Sequence, residues 1–298
     1  MTVAPLPARQ AWPWPGTGLV LACAVIAVMV AAALAAPVIA IQSPLDQDLL
    51  AINRAPDGEH LLGTDNLGRD VFARLVVGAR TTLAIGTLGT LFAFALGAGL
   101  GLLAMVFGRV TETMLFSVID LIRALPGTLL ALLLVVALGS GPAPVIAALG
   151  LSFAPLIAYV ARAAYRREVA RDYIRAARSF GGSRLHLLTR HILPNLAGTL
   201  VTQVAIILPR SIVTESVLSF LGLGSSPDAP TWGRMIADAS RFIEQAPHAI
   251  LCPMAALLLV TLSLSVIGGA LRRRLDPTRG DADRSAIGLT PATRTGTS

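Results

Sequence analysis

The sequence predicts an all-α integral membrane protein with six transmembrane helices. Three observations carry that expectation: long runs free of charge, a low charge content overall, and no strand-like alternation within the runs. Of 298 residues, 54% are hydrophobic and 14% charged, with a mean hydropathy of +0.71. Soluble domains carry about 25% charged residues. Residues 18–41, 81–107, 124–138, 143–161, 196–209 and 249–271 contain no Asp, Glu, Lys or Arg. A helix needs about 20 residues to cross the ~30 Å hydrocarbon core. The first, second and sixth runs reach that length, and the fourth, at 19 residues, is long enough. The third reaches it by starting near Met114 and taking in Asp120 and Arg123. The fifth does so by continuing through Arg210 and Glu215 to Leu221. All are continuous in Leu, Ala and Val, without the period-2 alternation of barrel strands.

The first run offers small residues for cleavage in "AAALAAP", but its 24 uncharged residues exceed the ~7–15 of a signal-peptide core, so it reads as a retained span. Cys23 and Cys252 both fall within spans, and no disulfide framework follows. Three segments result. Residues 1–80 hold the first span and a long loop, 81–271 form the main transmembrane domain, and 272–298 are a polar tail expected to lack regular structure.

Orientation follows from the arginines, which supply all 24 basic residues. With the N-terminus inside, segments 1–17, 108–113, 162–195 and 272–298 carry sixteen of them, and the outer segments 42–80 and 222–248 carry six. Basic residues favour the cytoplasmic side, which predicts both termini inside. The formal charge of +7 does not point to nucleic acid, because the basic loop at 162–195 interleaves only Tyr165, Tyr173 and Phe180 with its arginines. Attraction to the anionic inner leaflet of the lipid bilayer is expected instead.

Positive-inside bias explains why 162–195 is basic, but not why it is patterned. Residues 165–180 contain no Gly or Pro, and Glu168–Arg171 and Asp172–Arg175 have the i,i+3 spacing of helical ion pairs. Tyr165, Val169, Tyr173, Ala176, Ala177 and Phe180 recur at helical spacing, which predicts one shared face. Gly181-Gly182 should stop this helix. Ser183 can cap a second one, "SRLHLLTRHIL", expected to end at Pro194 before the next span.

Chemistry is sparse elsewhere. "GTDNLGRD" (63–70) lacks the Lys-Ser/Thr of a phosphate-binding loop and the ligand alternation of a calcium loop, so Asp65, Arg69 and Asp70 read as a turn and ion-pair cluster. The histidines at 60, 186, 191 and 248 show no metal-ligand spacing on one helix face. "LGSG" (138–141) and "LGLGSS" (221–226) bring no partner His within a span, and no enzymatic activity is expected. Charges within spans cost roughly 2.5–3.5 kcal/mol each on insertion scales, so Arg210 and Glu215, beyond a kink at Pro209, should face protein or water. They could line a pathway or brace the bundle. Asp120 and Arg123, one turn apart, suit a local ion pair. Gly97 and Gly101 suit close helix packing.

"AARSFG" followed after nine residues by "HILP" resembles the loop of ABC importer permeases that reads Glu-Ala-Ala-x-x-x-Gly and then Ile-x-Leu-Pro. "LLGTDNLGRDVFARLVVGARTTL" (61–83) and "ESVLSFLGLGSSPDAPTWGRMI" (215–236) resemble the C-type permease subunit of the dipeptide, oligopeptide and nickel branch. The resemblance implies the type I ABC importer permease fold. It also implies that the loop is a coupling helix, with Asp172, Arg175, Ala176, Ala177, Phe180, Gly181 and Pro194 at the ATPase contact. Arg175 departs from the pattern, standing where the family has Glu. Implied partners are a homologous second permease subunit, two cytoplasmic ATPase subunits that bind the ATP, and an extracytoplasmic substrate-binding protein. No cofactor is implied for this chain. The cargo would be a di- or oligopeptide, with nickel or another small solute as the alternative. A stand-alone secondary transporter is the competing class, but no repeat relates the halves and it leaves the patterned loop unexplained.

Overall fold

The computed structural model describes residues 16–40, 42–224 and 229–275. The leader before Gly16, four residues of the 222–248 loop and the tail beyond Leu275 lie outside the described residues. Among the described residues, eleven α-helices follow in order: α1 (Thr17–Leu34), α2 (Ala36–Ile39), α3 (Val71–Phe107), α4 (Arg109–Arg123), α5 (Gly127–Leu138), α6 (Pro142–Val169), α7 (Asp172–Ser179), α8 (Arg184–Leu187), α9 (Leu193–Phe220), α10 (Trp232–Ala239) and α11 (Pro247–Leu275). Among the described residues there is no strand, only one isolated bridge between Thr64 and Asp70.

The centre of the bundle is α3 packed along α6, with α9 laid against both and α11 against α9; α1 lies outside, against α11 and α3. Close packing follows from glycines on α3. A Cβ on Gly97 would run into the Ala154 carbonyl of α6 and lie 2.8 Å from Ile157 Cβ, and one on Gly101 would lie 3.2 Å from Ala158 Cα. Small residues at such crossings let backbones approach, the main source of helix association where lipid is as apolar as leucine. Ser211 of α9 donates to the Gly86 carbonyl of α3 at 3.0 Å, a polar bond inside an apolar interface.

Among the described residues, five helices or continuous helical runs are long and apolar enough to cross a membrane, and six spans result if one bent pair counts as one. That pair is α4 and α5, which meet at 90° and correct the expectation of a straight third span. Pro126 lacks the N–H that Ile122 would receive, and its ring disfavours helical geometry at Leu125. α5 restarts with Leu130 N bonded to the Pro126 carbonyl at 3.0 Å. Alone, α4 is too short and too charged to span.

Two further boundaries differ from expectation. α3 begins ten residues before the charge-free run because Asp70 caps it, accepting from Ala73 N at 2.7 Å. At 37 residues it is about 55 Å long, well beyond the hydrocarbon thickness. The segment opened by Ser183, whose Oγ accepts from His186 N at 3.2 Å, does not end at Pro194. It runs unbroken from Arg184 to Phe220 through a π turn at Leu188–Ile192. The wider turn lies just ahead of Pro194 and absorbs the proline's missing donor and ring clash.

Candidate functional site

The loop between α6 and α9 is built around one buried side chain. α6 ends where Arg171 turns extended (ψ 145°), and α7 starts afresh beyond it. An eight-residue helix is not stable alone. Ile174, 1% exposed, anchors it among Ala161, Ala164, Leu187 and Ile192. Burying such a side chain contributes about 1.5–3 kcal/mol.

Polar contacts complete the attachment. Buried Glu168 pairs with Arg171 Nε at 3.1 Å and accepts the Tyr173 hydroxyl. The Tyr173 oxygen in turn accepts from Asn195 Nδ2 at 3.0 Å, and that amide also reaches the His191 carbonyl at 2.7 Å. Withdrawal from water, followed by the Glu168 carboxylate, raises the Tyr173 pKa above its ordinary value, so the hydroxyl stays a donor at neutral pH. α7 is thereby strapped to α6 on one side and α9 on the other.

The residues expected at this site separate into two groups. Asp172, Arg175, Ala176 and Phe180 are exposed on α7 and its C-cap, Phe180 at 91%. Ala177 is half-buried against the Ile174 cluster. Gly181 turns the chain at φ +86° with nothing within 4 Å of a would-be Cβ, and Gly182 N closes the turn on the Ala177 carbonyl at 3.2 Å. Pro194 is exposed in the first turn of α9. The single expected face therefore does not exist. Tyr165, Val169 and Ala177 pack inward while Tyr173, Ala176 and Phe180 are exposed, because the break at Ala170–Arg171 resets the helical register. Arg175 donates to the Ala170 carbonyl at 3.0 Å and lies 3.6 Å from Asp172, closing the end of α6. Glu168 was expected to pair with Arg171 and does, whereas Ile174 and Asn195 were not singled out from sequence; the one large aliphatic side chain on the basic stretch "RDYIRAAR" was the available signal.

The charges within helices also divide. Glu215 is fully buried, accepting from Ser219 Oγ at 2.7 Å and Ser216 Oγ at 3.3 Å on its own helix. Arg210 is exposed and lines a cavity of about 770 Å³ between α9, α11 and the start of α5. Five residues turn a helix through 500°, which leaves the two side chains about 140° apart. Asp120 and Arg123 do not pair with each other, correcting the expected ion pair. Tyr159 of α6 donates its hydroxyl to Asp120, and the Arg123 guanidinium sits 4.6 Å from the centre of the Tyr159 ring. The third segment is thus fixed to α6 rather than internally neutralised. Glu112 supports the same contact through Arg162 (2.6 Å) and Arg166.

At the opposite end of the bundle, the expected cluster at Asp65, Arg69 and Asp70 is wider than its motif. Arg69 lies 2.8 Å from Asp65 and 3.0 Å from Asp238 of α10, which also meets Arg74 and Arg234, each at 3.2 Å. Asp70 also meets His60 at 3.0 Å. The network ties the long loop to α10.

Among the described residues no group of three or more His, Cys, Asp or Glu could hold a metal ion. His186 and His191 do share a face, with ring centres 6.0 Å apart, because the π turn brings i and i+5 together.

A bundle of helices long and apolar enough to cross a membrane, with a strapped helix-turn loop at one end and a cavity on its side, fits a multi-pass membrane protein. Residues 81–280 match the binding-protein-dependent transport system inner membrane component family, and the chain belongs to it. It is 37% identical over 226 residues to the glutathione transport system permease protein of Pectobacterium atrosepticum, covering 76% of this chain and 75% of that one. Identity to the dipeptide transport system permease protein of Alkalihalophilus pseudofirmus is 34% over 224 residues, 75% and 74% of the two chains. The glutathione transport system permease protein of Shigella dysenteriae is 36% identical over 226 residues, 76% and 75% of each.

Proposed function

We propose that this chain is one of two permease subunits of an ATP-driven importer that accepts di- or oligopeptides from an extracytoplasmic binding protein. The observation that carries the reading is α7. It is held to α6 and α9 by Ile174, Glu168 and Asn195, yet presents Ala176 and Phe180 outward. The arginine distribution supports placing the α7 end and both termini in the cytoplasm, where two ATPase subunits would receive Phe180 in a groove. Those subunits bind and hydrolyse the ATP, and this chain needs no cofactor and performs no catalysis.

The strapping suggests how hydrolysis reaches the membrane. Closure of the ATPases displaces α7, and because α7 is bonded to both α6 and α9, the two spans move with it. α9 carries Arg210 on the cavity wall, so its motion changes the side to which the cavity opens, by hinge or shear of packed helices. Peptide cargo is supported by the dipeptide and glutathione transport named for the relatives.

The test is the complex of this chain with its companion permease, ATPases and receptor in liposomes. Dipeptide- or glutathione-loaded receptor should stimulate ATP hydrolysis and drive uptake of the same peptide. Stimulation by nickel and not by any peptide would overturn the cargo, and uptake without ATPase subunits would overturn the class.

A further inference from the structure

We infer that Arg210 is the anchor for the carboxylate of the transported peptide, a reading that rests on the peptide cargo proposed above. The cavity between α9 and α11 is lined by two arginines, Arg210 and Arg272, and by the hydroxyls of Thr128, Thr214, Thr261 and Ser265; no Asp or Glu lines it. The charge on its wall is therefore all positive, set on a largely apolar lining that carries a few small hydroxyls. Arg210 is exposed within it, and among the described residues no acceptor is paired with its guanidinium. Glu215, the nearest acidic residue on α9, is turned away and held by serines. A guanidinium within a membrane-crossing helix needs water or an anion, and the planar fork matches a carboxylate with two parallel bonds.

Dimensions fit a short peptide. α9 and α11 touch where Gly268 meets Ala205. Arg210 lies five residues from Ala205, and Arg272 four residues from Gly268 toward the opposite end. At 1.5 Å per residue the two arginines are about 13–14 Å apart along the helices. Two to three extended residues span roughly 7–11 Å, so a di- or tripeptide held by its carboxylate at Arg210 lies within the cavity without reaching Arg272. Every unmodified peptide ends in such a carboxylate whatever its side chains, which gives a broad importer a common handle.

The test uses the reconstituted complex with its receptor and companion subunits. A dipeptide with a free C-terminus and the same dipeptide as its C-terminal amide are presented at matched receptor occupancy. Initial uptake rates are measured for the unaltered chain, Arg210→Gln and Arg210→Lys. Loss of a charge-assisted bidentate contact should lower free-carboxylate uptake about tenfold or more in Arg210→Gln. Arg210→Lys, which keeps the charge but not the fork, should restore part of it, and amide uptake should be low and equal in all three. Equal loss of both cargoes in Arg210→Gln would overturn the inference, pointing to a carboxylate of the companion permease as the partner. So would free-carboxylate uptake unchanged by Arg210→Gln, or a Lys variant no better than Gln. An unaltered complex that imports no peptide would instead sink the peptide reading itself.

Discussion

Replacing Ile174 by Ala tests whether α7 is held by one buried side chain. Ile174 is 1% exposed and packs into the cluster formed by α6, α8 and the π turn. Truncation of an isoleucine in such a site costs about 2–5 kcal/mol. That loss falls on a helix of eight residues that lacks stability of its own. A change of about 3 kcal/mol multiplies the open population of the loop more than a hundredfold. The amides of Phe180, Gly181 and Gly182, bonded to the carbonyls of Ala176, Arg178 and Ala177, report it directly by hydrogen exchange. Ile174→Ala should accelerate their exchange by about two decades, while amides in α3 and the middle of α9 keep their protection. Ile174→Val should cost only about 0.5–1.5 kcal/mol and shift exchange tenfold or less. Unchanged exchange in Ile174→Ala would refute the reasoning, since α7 would then be held by its polar strap alone.

Tyr173→Phe removes the hydroxyl that joins Glu168 to Asn195, and should loosen the same amides by about 1–3 kcal/mol because it strands a buried carboxylate bond; limited proteolysis at 170–182 checks it. Asp238→Asn removes the charge facing Arg69, Arg74 and Arg234 and should cost about 2 kcal/mol, discounted for its partial exposure, lowering Tm by roughly 4–8 °C in detergent. Gly97→Val drives a side chain into the Ala154 carbonyl and should reduce folded yield in the membrane, read by size-exclusion chromatography, whereas Gly99→Val, facing open space, should not.

Much of the fold was legible because lipid permits few solutions: charge-free runs gave the spans, Ser183 gave its cap, and Gly97 and Gly101 marked a close helix crossing whose partner, α6, only the structure names. What escaped was decided by contacts between elements. Pro126 is plain in the sequence, yet the 90° turn it allows depends on Tyr159 and Arg162 of α6 holding α4 in place. Asp120 and Arg123 have ion-pair spacing, but a tyrosine from another helix supplies the partner of each. In the loop, composition gave the glycine stop, but the one helix expected over 165–180 is broken at Ala170–Arg171, and the restarted register set which face turns inward. That difference changes which substitution is informative. Ala177, expected at the docking face, is half-buried, so a bulky residue there disturbs the loop itself. Ala176 is exposed and is the clean position.

The most direct test of the account is co-purification of the ATPase subunits with Ala176→Trp, measured beside receptor-driven peptide uptake. The account predicts normal insertion, normal protection of the Phe180–Gly182 amides, and sharply reduced ATPase retention or uptake uncoupled from hydrolysis. Full ATPase retention with undiminished uptake in Ala176→Trp would contradict it, and the loop would be a basic segment that sets topology and nothing more.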